Sequence, residues 1–174
     1  GNQMSNIRTE VAGLHNVQVY CKTNSLERVM PTFVQKTQFH HGDEPVPPVN
    51  FDDFNFRLSL QKEKQFAESS STAKTVVGPW RSSKKTFRYL NRSTFRNPAF
   101  PFVVDASIVK ESRRDYNKMI PAHTFAESQV SESQPKYEIE IEVLNDAVGQ
   151  GTAFNTTKKL ADALRACIKT VMSG

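Results

Sequence analysis

Lys136-Tyr137-Glu138-Ile139-Glu140-Ile141-Glu142-Val143 alternates charged with apolar residues. Successive strand side chains point to opposite faces, so Glu138, Glu140 and Glu142 stand in one row and Tyr137, Ile139, Ile141 and Val143 in the other. Such a strand suits a wall between an apolar core and a wet, charged space. Carboxylates two residues apart on one face repel one another. The row therefore calls for cations, either a divalent metal or Lys/Arg from facing strands. An exposed edge strand with an acidic outer face has the same pattern. The rest of the chain has to separate the two.

The chain has 174 residues, the size of one ordinary domain with a real core. Twenty-three Lys and Arg against 18 Asp and Glu give a net charge of +5, which favours an anionic partner such as nucleic acid or polyphosphate. Cys21 and Cys167 are the only cysteines, with no CxxC and no Cys/His spacing for zinc, so a disulfide scaffold and a zinc module are excluded. A reduced, intracellular setting is the simplest reading. Nothing resembles a signal peptide or an apolar span of about 20 residues, and no membrane is expected as a partner.

Working outward from the glutamates, strands dominate. Ile7, Thr9 and Val11 alternate with Arg8 and Glu10. Leu14 to Tyr20 reads as a short helix, 29–39 as a strand and the proline-rich 40–49 as a loop. Phe54, Phe56, Leu58 and Leu60 alternate with Asn55, Arg57 and Ser59, a strand signature. Ser69 to Thr72 reads as a polar turn. The segment 84–96 carries five cations; Lys84, Thr86, Arg88, Leu90 and Arg92 fall on one face, with Phe87, Tyr89 and Asn91 on the other. Phe102 to Val109 reads as a buried strand bearing one acid, Asp105. Residues 112–135 read as a long polar loop. Thr156 is placed to cap a helix whose stripe of Leu160, Leu164, Cys167, Ile168 and Val171 suits core packing, with Lys158, Lys159, Arg165 and Lys169 wet.

His40-His41 beside Asp43 and Glu44 reads first as a solvated loop, since no rigid element sets a ligand spacing. Trp80 could stack on a base, but its place before a strand favours an anchoring role. Several antiparallel strands thus put polar groups on one face, acidic in one strand and basic in others, with a helix outside. A barrel holding charge in its interior accounts for all of them, and cations beside carboxylates suit a metal-bridged polyphosphate.

Four segments, Phe56-Arg57-Leu58-Ser59-Leu60, Phe87-Arg88-Tyr89-Leu90-Asn91-Arg92-Ser93-Thr94-Phe95, Val104-Asp105-Ala106-Ser107-Ile108-Val109-Lys110 and Tyr137-Glu138-Ile139-Glu140-Ile141-Glu142, resemble in this order the RNA triphosphatase domain of mRNA-capping enzymes from large nucleocytoplasmic DNA viruses. The likeness covers about residues 7–172. The resemblance implies a triphosphate tunnel metalloenzyme: a mainly β, α+β fold with a closed antiparallel barrel and a few flanking helices, one at the C-terminus. It implies removal of the 5′ γ-phosphate of nascent viral mRNA with Mg²⁺ or Mn²⁺, the first step of cap formation. It also implies 5′-triphosphate RNA and a guanylyltransferase domain, in the same or a partner chain, as partners, and the host cytoplasm or the virion as location. Glu138, Glu140 and Glu142 are the implied metal ligands. Arg57, Arg88, Arg92, Lys110 and Asp105 are the implied catalytic residues, and Arg57, Arg88, Arg92, Lys84 and Ser107 the implied substrate contacts.

Two departures are visible. Leu90 and Val103 stand where the family often has basic residues. The family's first-strand Glu-x-Glu pair has no counterpart, since Glu10, Glu27 and Glu44 are isolated. The whole chain, 1–174, is therefore expected to be one tunnel domain lacking its first metal-binding strand, binding triphosphate but hydrolysing it poorly alone. A non-catalytic module that binds RNA 5′ ends or scaffolds other capping domains is the alternative. A tunnel-fold phosphohydrolase acting on inorganic triphosphate or nucleotides is a third.

Overall fold

The strand and helix patterns above become two compact units. A computed structural model describes residues 6–173, apart from the side chain of Phe54. Of these, the first unit comprises residues 6–85 with 123–125, and the second 86–122 with 126–173.

In the first unit, β1 (Ile7–Val11) is followed by α1 (Leu14–Thr23), β2 (Pro31–Gln38), β3 (His40–His41), β4 (Glu44–Pro45), β5 (Val49–Phe51), β6 (Phe56–Leu58), β7 (Gln61–Phe66) and α2 (Ser71–Val77). β1, β2 and β7 form an antiparallel sheet with β2 central. Its core gathers Phe33 and Val34 of β2, both nearly fully buried. α1 ends at Asn24, whose left-handed backbone (φ 48°) lets its N–H reach Tyr20 O at 2.8 Å. Asparagine tolerates that conformation better than most residues, which makes it a natural helix stop.

Three expectations for this unit need correcting. The strand read over 54–60 is only Phe56–Leu58. Asn55 adopts a left-handed conformation (φ 50°) and closes a tight turn onto Asp52 O, so the chain reverses into a hairpin with β5 in which the Phe51 and Phe56 rings stack at 4.4 Å. Ser69 to Thr72 is the entry to a helix, since Ser70 Oγ accepts the Ala73 N–H at 3.2 Å. β7 was invisible to hydrophobic periodicity because Gln61-Lys62-Glu63-Lys64-Gln65 is polar throughout; ladder bonds to β2 and the Lys36–Glu63 pair at 3.2 Å hold it. The 40–49 loop carries the two-residue pair β3–β4.

The second unit is built on β8 (Arg88–Arg96), β9 (Phe102–Glu111), β10 (Arg114–Asp115), β11 (Lys118–Met119), β12 (Lys136–Val143) and α3 (Thr157–Ser173). β9 is the middle of a three-stranded antiparallel sheet, with β12 on one side and β8 on the other. β10 and β11 form a small ribbon inside the expected 112–135 loop. One end of the apolar row of β12 and β9 lies under α3: Phe102, Ala163 and Cys167 are buried, with Val104, Ile141, Leu160, Leu164 and Val171 packed around them, while Ile108, Tyr137 and Ile139 of the same row are exposed. Thr156 Oγ1 accepts the Lys159 N–H at 3.3 Å and starts that helix as the sequence leads one to expect.

The described residues are thus mainly β with three α-helices, one of them C-terminal. Among the described residues the strands fall into five small antiparallel sheets and no closed barrel is found.

Replacing Phe102, which is buried between sheet and helix, with Ala should remove about 3–5 kcal/mol of stability. Tyr137→Ala, on the same sheet face but 79 % exposed, should change it by no more than about 0.5 kcal/mol. Urea denaturation of the two variants checks the contrast; equal losses would mean that α3 is not seated on this face.

Candidate functional site

The alternation of β8, β9 and β12 puts every charged row on the sheet face away from α3. On that face β8 contributes Arg88, Leu90, Arg92, Thr94 and Arg96. Val103, Asp105, Ser107, Val109 and Glu111 come from β9, and Lys136, Glu138, Glu140 and Glu142 from β12. The register sets Glu140 beside Asp105 and Asp105 beside Thr94, and Glu138 beside Ser107 and Ser107 beside Arg92. The glutamate row therefore does face arginines, two strands away.

Arg92 is the centre of this face. Its Nη1 lies 2.9 Å from Asp105 Oδ2, its Nη2 2.7 Å from Glu140 Oε2, and its Nε donates to Ser107 Oγ at 3.2 Å. Thr94 Oγ1 donates to the other Asp105 oxygen. Asp105 and Ser107 are buried, so this fork and the threonine supply the partners that burial of polar groups requires. Arg88 reaches Glu138 at 2.8 Å and Glu111 at 3.4 Å. The repulsion among the glutamates is thus offset within the sheet, at least for Glu138 and Glu140.

Glu111 was not singled out by sequence reasoning, yet it organises one end of the face. Besides Arg88, its carboxylate meets Arg114 and Lys136, each at 2.8 Å. Burial alone would raise its pKa. The hydrogen bonds and charges of Lys136 and Arg114 outweigh that and hold it below its ordinary 4.5. No local motif marks this cluster, because its members come from β8, β9, β10 and β12. Arg114 reaches back three residues along the chain, and the strand register brings in Arg88 and Lys136.

Of the residues singled out from the sequence, Arg88, Arg92, Asp105, Ser107, Glu138, Glu140 and Glu142 share this one face. Lys110 does not: it alternates to the opposite face beside Tyr89, and its Nζ donates to Ser131 O at 2.7 Å. Arg57, on β6, and Lys84 belong to the first unit. Glu10 is also in that unit, ion-paired with Arg8 at 3.6 Å. Trp80 is gripped as an anchor, with Tyr20 edge-on at 6.1 Å and the Lys85 ammonium 4.8 Å above its ring. It lines a cavity of about 220 Å³ with Ser25, Leu26 and Val77.

For a hard divalent cation the donor type is suitable, since Mg²⁺ and Mn²⁺ take carboxylate oxygens. Two adjacent strands also supply such oxygens to one row, Glu140 and Asp105. Among the described residues, however, no three His, Cys, Asp or Glu converge on one point. Guanidinium groups stand between the carboxylates instead. A cation held here would replace the Arg88 and Arg92 contacts to Glu138 and Glu140.

No family model matches this chain, and no curated protein or solved structure matches it either.

Arg92→Ala should destabilise the protein by roughly 1–3 kcal/mol, because it strips partners from a buried carboxylate and a buried hydroxyl. Arg96→Ala, at the far end of the same strand, should change stability by less than about 0.5 kcal/mol. Chemical denaturation separates them, and equal effects would show that the Arg92 fork is not formed. Glu111 gives a pH signature. Its folded pKa is depressed, so its stabilisation is present above the unfolded value and is lost as pH falls through the folded one. The stability of the wild type should therefore fall more steeply below about pH 4.5 than that of Glu111→Gln. Parallel slopes in urea titrations at stepped pH would contradict the cluster.

Proposed function

We propose that the charged face of the β8–β9–β12 sheet is one wall of a closed triphosphate tunnel, and that it removes the 5′ γ-phosphate of RNA with Mg²⁺ or Mn²⁺ before cap addition. The observation that carries this reading is the single face on which a glutamate row and an arginine row interlock. Carboxylates and guanidiniums that neutralise one another can both be re-partnered at once by a cation–phosphate pair, with little change in net charge. Glu138, Glu140 and Glu142 would hold the cation, with Asp105 beside Glu140 on the adjacent strand. When bound, the cation supplies charge neutralisation on the phosphate oxygens and lowers the pKa of a coordinated water. Arg88 and Arg92, released from the glutamates, would bind phosphate oxygens through the planar guanidinium fork and offset charge that develops on them. Ser107 and Thr94 keep Arg92 and Asp105 oriented. Nascent RNA carrying a 5′-triphosphate is the substrate, and a guanylyltransferase the natural consumer of the resulting diphosphate end.

A second reading rests on a specific observation. Glu138 and Glu140 are already engaged by arginines, and no carboxylate set converges for a metal among the described residues. That arrangement favours a module that binds RNA 5′ ends without hydrolysing them.

Phosphate release from 5′-triphosphate RNA, with and without Mn²⁺, tests both. On the first reading release is metal-dependent, falls by about a hundredfold or more in Glu140→Gln and Glu142→Gln, and is inhibited by tripolyphosphate. Binding that tripolyphosphate competes away, with no release, selects the second reading. Neither binding nor release would remove both.

A further inference from the structure

The charged face is neutral as a whole but polarised along the strands. At the end where β12 begins, Arg88, Arg114 and Lys136 surround Glu111, with Glu138 as the second acid. Three cations there meet two carboxylates. Towards the other end the face carries Arg92 and Arg96 against Asp105, Glu140 and Glu142, so the excess is acidic. A ligand that is uniformly anionic is drawn to the first end and repelled by the second.

We propose that Arg114 and Lys136, gathered by Glu111, form a subsite for the phosphodiester backbone of single-stranded RNA, beyond the part of the face where Arg88 and Arg92 take the triphosphate end. The proposal rests on the reading above only in taking RNA as the ligand. Glu111 acts as a positioning residue: its side chain is only 12 % exposed, whereas those of Arg114 and Lys136 are 39 % and 54 % exposed. The carboxylate beneath orders two long side chains that would otherwise lose rotamer freedom on binding. Arg114 gives Nε and Nη2 to Glu111 and Nη1 to Asn117 O at 2.9 Å, which leaves the second N–H of each Nη for a phosphate, and Lys136 gives one of its three N–H groups to Glu111. Position decides which phosphate that is. Lys136 lies four residues from Glu140 on β12, and Glu111 six from Asp105 on β9, roughly 13 and 20 Å along extended strands. Phosphorus atoms joined through single bridging oxygens cannot span those lengths, but a few nucleotides of backbone can. RNA whose 5′ end lies by Glu140 and Asp105 would thus pass its following phosphates over Lys136 and Arg114.

Binding can be measured for three probes: inorganic tripolyphosphate, 5′-triphosphate RNA, and 5′-hydroxyl RNA of the same sequence. Arg114→Ala and Lys136→Ala should weaken both RNAs and lower the slope of log affinity against log salt by about 0.7 per lost contact, while tripolyphosphate binding stays unchanged. Lys169→Ala, which removes an exposed charge from α3, is the control for loss of net charge. The proposal is overturned if the two variants behave as Lys169→Ala does on RNA, or if tripolyphosphate alone is weakened. Because 5′-hydroxyl RNA has no γ-phosphate, this result is independent of whether the protein releases phosphate at all.

Discussion

One guanidinium ties three strands together. Arg92 leaves β8, crosses β9 with contacts to Ser107 and Asp105, and ends on Glu140 of β12. Ladder bonds alone would hold these strands as a sheet, but they do not explain how a carboxylate and a hydroxyl come to be buried on its polar side. Burial of an unpaired acid costs several kcal/mol, whereas an acid receiving a guanidinium and a threonine hydroxyl is satisfied. The fork geometry matters: a lysine placed at 92 would offer a point charge and could not address three strands in one plane. With that face committed to charge, apolar residues are left to the other, where α3 packs over the Phe102–Val104–Ile141 end.

Much of this was legible in the sequence because it depends on period-two alternation. The glutamate row, the buried stretch Phe102 to Val109 with its single acid, the basic β8 and the capped terminal helix all appear as patterns within one segment. What stayed hidden depends on pairing between segments. Glu111 sits at the end of a strand and shows no motif; its importance comes from Arg88, Arg114 and Lys136, brought in by register and by the β10–β11 ribbon. The face of Lys110 could have been read from its odd spacing to Asp105, since residues five apart on a strand lie on opposite sides. The likeness to a basic motif obscured that parity. β7 escaped for a different reason, being polar on both faces and stabilised by its neighbour alone. Asn55 broke an otherwise convincing alternation because a left-handed turn needs only one tolerant residue.

The neutrality of the face carries a functional consequence that a count of basic residues misses. Summed from sequence, Arg57, Arg88, Arg92 and Lys110 suggest a strongly positive lumen. On the sheet itself, two of those four are absent from the face, and the remaining cations are matched by carboxylates. Attraction for a polyanion therefore cannot come from an overall positive potential. It comes from the uneven distribution, with surplus cations at the β12 start, and from the chain's net charge of +5 at longer range.

The ion pairs on this face are not equivalent, and their differences order the proposed exchange. Arg88 holds Glu138 with both side chains about a third exposed, and its second contact, to Glu111, is the longer one at 3.4 Å. Pairs that wet contribute about 0–1 kcal/mol, so little is lost when Arg88 turns to a phosphate, and Glu111 keeps two other cations. Arg92 is different. Its partner Asp105 has a side chain only 7 % exposed, and releasing it leaves a buried carboxylate dependent on Thr94 alone. Arg92 can give up Glu140, its exposed partner, without giving up Asp105. The arrangement thus assigns unequal parts to two arginines that looked alike in sequence: Arg88 is the mobile cation, and Arg92 is a fixed one that can present at most one edge of its fork to a ligand.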